Sequence, residues 1–353
     1  MVRPPNSFRE AAEDWVCVRV TDMRDVDLAT FRFDFDLTLA ALLMHPDGTV
    51  YHRYGGRTWS DPLAYMSMDS LVRLMGDTLA EHAEYARDPR PAARPARTIS
   101  DLPAFARKDR AQKVECVHCH MVHDAERDSA REAGAWTRED MWVWPAPERL
   151  GLELDGGEQS LVRSVAPASP AARAGMRAGD RLTRLSAELV RTVHDVQWVL
   201  ENAPGAEAGL DARFTRDGEE HAARLTLEPG WKHASPLEYS WRAYKWGLSP
   251  GPGFGGPALG ADEKRELGLD PDGFAFRVQY LVTWGENAQR GRAAREAGIR
   301  EGDVVLSVAG KTDFRTVEHF HSWFRLTREA GEEVEIRLRR GDETLTVALK
   351  APH

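Results

Sequence analysis

Cys116, Cys119 and His120 place two thiols and an imidazole within five residues, in the run Cys-Val-His-Cys-His. Two thiols at that spacing can add across the vinyl groups of a haem, while the His that follows swings under the ring as axial ligand. The spacing therefore points to haem c, and Met141 is the downstream candidate for the opposite axial position. A second chemistry uses the same stretch. Cys116, Cys119, His120 and His123 together offer two thiolates and two imidazoles, the donor set of a closed tetrahedral zinc site, although C-x2-C-H-x2-H is more compressed than a finger. A redox dithiol or a buried structural pair of thiols would also use Cys116 and Cys119. The chain has 3 cysteines, too few for a disulfide-stapled framework. The third, Cys17, lies in Trp-Val-Cys-Val-Arg-Val (15–20), an apolar β-branched run that reads as a buried strand, so its thiol is expected in a core.

Other motifs carry less. Gly247, Ser249 and Gly251 fit G-x-S-x-G, and Gly251, Gly253 and Gly256 fit G-x-G-x-x-G, but both lie in a Pro/Gly-rich stretch without the strand and helix either motif needs. His319 and His321 stand two apart, which puts them on different faces of a helix. No catalytic residue is assigned, and enzyme activity is left open. With 56 acids against 47 bases the net charge is −9, which argues against a nucleic-acid surface. No apolar run is long enough to span a membrane, and the first 15 residues have no apolar h-region.

The elements that must position these residues are clearest where the chain repeats itself. Ala174–Asp180 reads AGMRAGD and Ala297–Asp303 reads AGIREGD, identical at five of seven positions. Arg-Thr-Val follows each (191–193 and 315–317), Leu-Gly-Leu precedes each (150–152 and 267–269), and each copy ends in two alternating segments joined by a Gly turn. Each copy resembles a PDZ module of bacterial type. The resemblance implies that a Φ-G-Φ loop presents backbone N–H groups to a peptide's terminal carboxylate, and that the peptide adds as a strand opposite a helix. Carried over, the loops are Leu150, Gly151 and Leu152 in the first module and Leu267, Gly268 and Leu269 in the second. The helices run from about 192 to 201, with His194 facing the groove, and from about 316 to 326. The acidic DPDG stretch and the insertion TWGENAQRGR in the second copy depart from the family, so peptide binding is expected of the first module more than of the second.

Near the N-terminus, 36–56 reads as a hairpin with a Pro-Asp-Gly turn, and 67–85 as a helix with Leu71, Leu74, Met75 and Leu79 on one face. With the 15–20 strand, these resemble the later part of a thioredoxin fold, although Leu37 stands where that family has its cis-proline, and the first strand and CxxC helix are missing. The whole arrangement resembles a thioredoxin-like/PDZ family, some members of which carry selenocysteine. It implies a chain that begins upstream of Met1, where a redox motif and an export signal would lie.

The fold expected is α+β multidomain: an incomplete thioredoxin-like domain (1–88), a linker and CxxCH segment (89–145), a first PDZ-like module (146–232), a Trp/Gly/Pro-rich strap (233–262) and a second module (263–353). The function expected is an adaptor that holds peptide or protein C-termini and carries a haem for electron transfer, in an extracytoplasmic setting if haem is attached. The alternatives are a thiol-disulfide oxidoreductase whose redox motif lies upstream, and a scaffold with structural zinc.

Overall fold

The computed structural model describes residues 5–84, 95–107 and 116–352. They form two compact units, Met1–Ala234 and Ser235–His353.

In the first unit a short helix α1 (Asn6–Ala11) precedes the hairpin β1 (Ala40–Met44) and β2 (Val50–Gly55), which turns through Asp47 and Gly48. Helix α2 (Met68–Glu84) lays Leu74 and Met75 against Leu43 and Tyr54 of the hairpin. Helices α3 (Pro103–Arg107) and α4 (Cys119–Glu132) enclose a separate cluster of Met23, Leu28, Phe35, Ile99, Val117 and Val122. The strand expected over 15–20 does not form. Val16 and Val18 are 92% and 80% exposed, and Cys17 is exposed rather than in a core. A β-branched run becomes a strand only where a ladder partner is free. The hairpin has a two-stranded sheet, and the outer edge of β2 is taken: Arg53 N–H donates to the Asp195 carboxylate at 2.9 Å, and the Arg53 carbonyl accepts from the Thr192 hydroxyl. Of the thioredoxin-like elements expected, the described residues contain the hairpin and the long helix, without the further strands such a sheet needs.

The rest of the first unit is a small β-rich fold. Strands β3 (Leu152–Leu154) and β4 (Val162–Val165) pair, α5 (Pro170–Arg173) follows, then β5 (Arg181–Leu185), β6 (Glu188–Leu189), helix α6 (Val193–Asn202) and the hairpin β7 (Ala208–Arg216) and β8 (Glu219–Leu227). The larger sheet runs β6-β5-β7-β8. Thr192 caps α6 with a reciprocal capping box to Asp195, as Thr followed three residues later by an acid predicts.

The second unit repeats this plan. A short helix α7 (Pro236–Tyr239) leads to β9 (Phe254–Gly255), α8 (Ala261–Glu266), β10 (Phe276–Arg277), β11 (Tyr280–Leu281), α9 (Ala288–Glu296), β12 (Val304–Val308), α10 (Val317–Thr327) and the hairpin β13 (Glu333–Arg340) and β14 (Glu343–Lys350). Its sheets are β9–β11 and β10-β12-β13-β14. The repeated AGxRxGD turn has the same work in both copies. Buried Asp180 accepts from Arg177 N–H at 2.8 Å and from the Arg216 guanidinium at 2.7 and 2.8 Å. Buried Asp303 accepts from Arg300 N–H at 2.8 Å and from the Arg340 guanidinium at 2.8 and 2.9 Å. The Asp thus ties the turn to the first strand of the terminal hairpin by a bidentate pair. The strap expected over 233–262 is not a separate spacer, because β9 within it supplies the edge strand of the second unit.

Candidate functional site

In the first unit the chain turns at Gly151 with φ +80°, and a Cβ there would overlap the Ser169 side chain. Ala166 N–H closes the turn on the Gly151 carbonyl at 2.8 Å, and β3 then runs antiparallel to β4. The second unit has the same bond between Val282 N–H and the Gly253 carbonyl at 2.8 Å, with Gly253 at φ +80°. Leu152 pairs with Val165 and Phe254 with Leu281, so Phe254 stands where Leu152 does. Further along, Gly179 and Asp180 exchange bonds with Val162 as Gly302 and Asp303 do with Val278. The counterpart of Leu150-Gly151-Leu152 in the second unit is therefore Pro252-Gly253-Phe254. Leu267, Gly268 and Leu269 instead end α8, with Gly268 at φ +66°, and both leucines pack on Leu259, Ala275 and Val304. That Leu-Gly-Leu is a helix stop, which looks the same as the loop at the level of residue types.

Beside the first loop the chain packs its own Tyr65. Tyr65 is buried in the core shared by Leu150, Leu152, Val193 and Val196. Its phenol hydroxyl donates to Glu148, two residues before the loop, at 3.2 Å. Its carbonyl accepts from Gln159 Nε2 at 3.0 Å, and the Gln159 Oε1 accepts from Val193 N–H at the start of α6 at 3.4 Å. Burial, then the adjacent Glu148 carboxylate, push the phenol pKa upward. Tyr65 thus links the start of α6, through Gln159, to Glu148 just before the loop.

Helix α6 is clasped by the same N-terminal residues. The His52 ring lies between Asp195 (Nδ1–Oδ2, 2.9 Å) and Glu81 (Nε2–Oε2, 2.7 Å), and Arg191 donates to Glu81 at 2.8 Å. Burial opposes charge on His52, but the bonds to Asp195 and Glu81 outweigh it and raise its pKa to about 9. The Arg53 guanidinium lies 3.7 Å over the Trp198 ring. His194, expected to face a peptide, is fully buried instead. Its Nε2 accepts from Asp34 N–H at 3.4 Å, the Trp144 ring meets it edge-on, and burial lowers its pKa to about 4, so it is neutral.

The second loop has a different neighbourhood. Gly251 packs against the guanidinium nitrogens of Arg290 and Arg325, and a Cβ at Gly253 would overlap the Arg290 carbonyl. Arg325 bonds the His321 carbonyl at 3.1 Å and lies 4.9 Å from the Trp246 ring. Burial, then the like charge of Arg290, bring its pKa down to about 9. His321 is held well below its usual range by burial and by Arg325, so it is neutral. Counting from the capping threonines, Thr192 and Thr316, Arg325 stands where the first unit has Glu201. Trp144 and Trp246 each stand seven residues before the loop glycine, and each packs on its helix: Trp144 N–H donates to Glu201 at 2.7 Å, and Trp246 meets His321 at 4.8 Å. That Trp spacing is the signal that would have placed the second loop. Ser249 of the G-x-S-x-G run is an exposed loop residue.

The CxxCH residues do not converge. Cys116 and His120 are exposed, Cys119 is half-buried with its Sγ 3.9 Å from the Leu37 carbonyl, and His123 is buried. Val117, between the cysteines, is buried in the apolar cluster of the protein interior. Met141 is buried at the end of the turn Arg138–Met141. The zinc set is divided too: the His120 ring stacks on His118 at 6.0 Å, whereas His123 turns to Asp34, with Nε2 3.8 Å from Oδ1.

Comparison with known proteins agrees with the fold. Residues 161–213 match the PDZ domain family. A probable periplasmic serine endoprotease DegP-like of Marinomonas sp. (strain MWYL1) is 26% identical over 165 residues, which cover 46% of this chain and 31% of that protein. The chain thus matches about a third of that relative's length. Among solved structures, the serine endoprotease from Yersinia pestis is 19% identical, covering 32% of this chain and 36% of that one with a TM-score of 0.23. An HtrA-type protease with a decapeptide is 15% identical, covering 41% and 40% with a TM-score of 0.24. The chain contains a PDZ domain and is similar to DegP-like proteins over part of its length. Among the described residues no helix is long and apolar enough to cross a membrane.

Proposed function

We propose that this chain is a peptide- and protein-binding adaptor with two PDZ-type grooves in different states. The first is held shut by the chain's own Tyr65 segment, and the second takes a peptide that ends in a free carboxylate. The observation that carries the reading is the charge at one helix position, Glu201 in the first unit and Arg325 in the second, within frames that otherwise match. A carboxylate arriving at Gly251–Phe254 meets the guanidiniums of Arg290 and Arg325, whereas at Leu150–Leu152 it meets Glu148 and Tyr65. Charge-assisted bonds of this kind are about twice as strong as neutral ones. This reverses the order of the two modules expected from the sequence. The periplasmic setting in the relative's name suits an extracytoplasmic adaptor. The serine endoprotease activity in that name is not carried over.

The test is calorimetric titration of the full chain with a peptide whose last residue is apolar. Binding at roughly micromolar Kd is expected, with at least a tenfold loss on amidating the peptide C-terminus. Arg325→Glu should abolish it, and Tyr65→Ala should add a second site. Equal affinity for acid and amide would overturn the carboxylate reading.

A further inference from the structure

The ring of His123 and the carboxylates of Asp34 and Asp36 each offer a ligand atom, all within 4.8 Å of one another. Asp34 and His123 are buried and Asp36 is partly so. We propose that Asp34, Asp36 and His123 bind one divalent transition-metal ion of the zinc class.

The chain builds this place deliberately. Phe33 and Phe35 alternate with the two acids, and Phe35 packs edge-on against the His123 ring at 5.2 Å, which fixes the imidazole plane. Asp36 N–H donates to Asp34 Oδ1 at 3.2 Å, holding the acidic loop closed on itself. His123 stands one turn after Cys119 on α4, so both side chains leave the same face of the helix. The Cys119 sulfur lies against the carbonyl of Leu37, the residue after Asp36. The two carboxylates face one buried imidazole and repel each other, and a divalent cation reverses the sign of that interaction. Two ligand atoms about 2.1 Å from a tetrahedral ion stand roughly 3.4 Å apart. The His123–Asp34 separation of 3.8 Å is long for a hydrogen bond, and a shift of a few tenths of an ångström would bring both onto one ion. A carboxylate and imidazole set suits zinc, and cobalt(II) substitutes in such sites as a coloured probe.

The experiment uses the full chain without an affinity tag, stripped with chelator, then titrated with Co²⁺ by visible absorption and with Zn²⁺ by thermal unfolding. One equivalent should bind, with a saturating d–d spectrum and a rise in Tm. Asp36→Asn, on the partly exposed residue, should weaken binding at least tenfold while the metal-free protein unfolds as wild type. His123→Gln should do the same. Binding undiminished in Asp36→Asn and His123→Gln but lost in His120→Ala would overturn the proposal in favour of the exposed cysteine and histidine residues. Failure to bind Co²⁺ stoichiometrically would overturn it outright.

Discussion

His52 has a carboxylate at each ring nitrogen, Asp195 and Glu81, and is doubly protonated at neutral pH. In the unfolded chain its pKa is near 6.5, in the folded protein about 9. The stability it contributes is therefore fully present below about pH 6.5 and is lost as pH rises through 9. Urea unfolding at pH 6, 7.5 and 9.5 should show a decline on the order of 3 kcal/mol for this group. His52→Gln should flatten the profile, and a mutant that keeps the full slope would show that another group titrates. Asp303 presents the opposite case, a carboxylate whose value lies in its partner. Removing Asp303 takes away a buried acceptor of charge-assisted bonds while Arg340 stays partly exposed, so Asp303→Ala should cost about 1–3 kcal/mol, against nearly nothing for exposed Asp262→Ala. Chemical denaturation checks both.

Among the elements, the glycine that the sequence points to as the second loop and the one that occupies it should behave differently. A Cβ at Gly268 meets nothing within 4 Å, so Gly268→Ala costs only the left-handed backbone, roughly 1–2 kcal/mol, and leaves peptide affinity unchanged. Gly253→Ala drives a methyl into the Arg290 carbonyl and should disrupt both the stability and the binding of the second unit. If Gly268→Ala is the one that loses affinity, the loop lies where the sequence alone suggests it. The contrast marks what could be read from the chain. The paired turns, the capped helices and the terminal hairpins were legible because each depends on residues close in sequence: the Thr-x-x-Asp box of α6, the Asp of AGxRxGD and the alternation of β7, β8, β13 and β14. Strand β9 was not legible. It has two residues, no alternation, and four glycines within four positions of Phe254 on either side. The run 15–20 misled for the converse reason, since strong β propensity counts for nothing when Asp195 and Thr192 have already satisfied the neighbouring edge. The grouping of Asp34 and Asp36 with His123 spans almost ninety positions of chain and had no local signature.

At the scale of the whole chain, Tyr65 makes the first PDZ-type fold depend on residues well before it. A fragment of 146–234 lacks that ring and should unfold at lower urea than one that begins at residue 5. The loss should be about 3 kcal/mol or more for the missing aromatic alone. A fragment of 235–353 contains its own loop, edge strand and core and should unfold cooperatively without help. If the two short fragments prove equally stable relative to their longer parents, Tyr65 is only a lid resting on a finished fold.

Because Tyr65 belongs to the same chain as the groove it fills, any visiting peptide competes with a tethered rival. A short tether holds its end at an effective concentration in the millimolar range. A visitor's apparent affinity falls by the fraction of time the groove stands empty, so a groove open 1% of the time would make an intrinsic micromolar ligand look roughly a hundredfold weaker. Association would also saturate with ligand concentration, since its ceiling is the rate at which the Tyr65 segment leaves. A mutation that loosens that segment would then act on speed and affinity together, with no contact to the peptide at all.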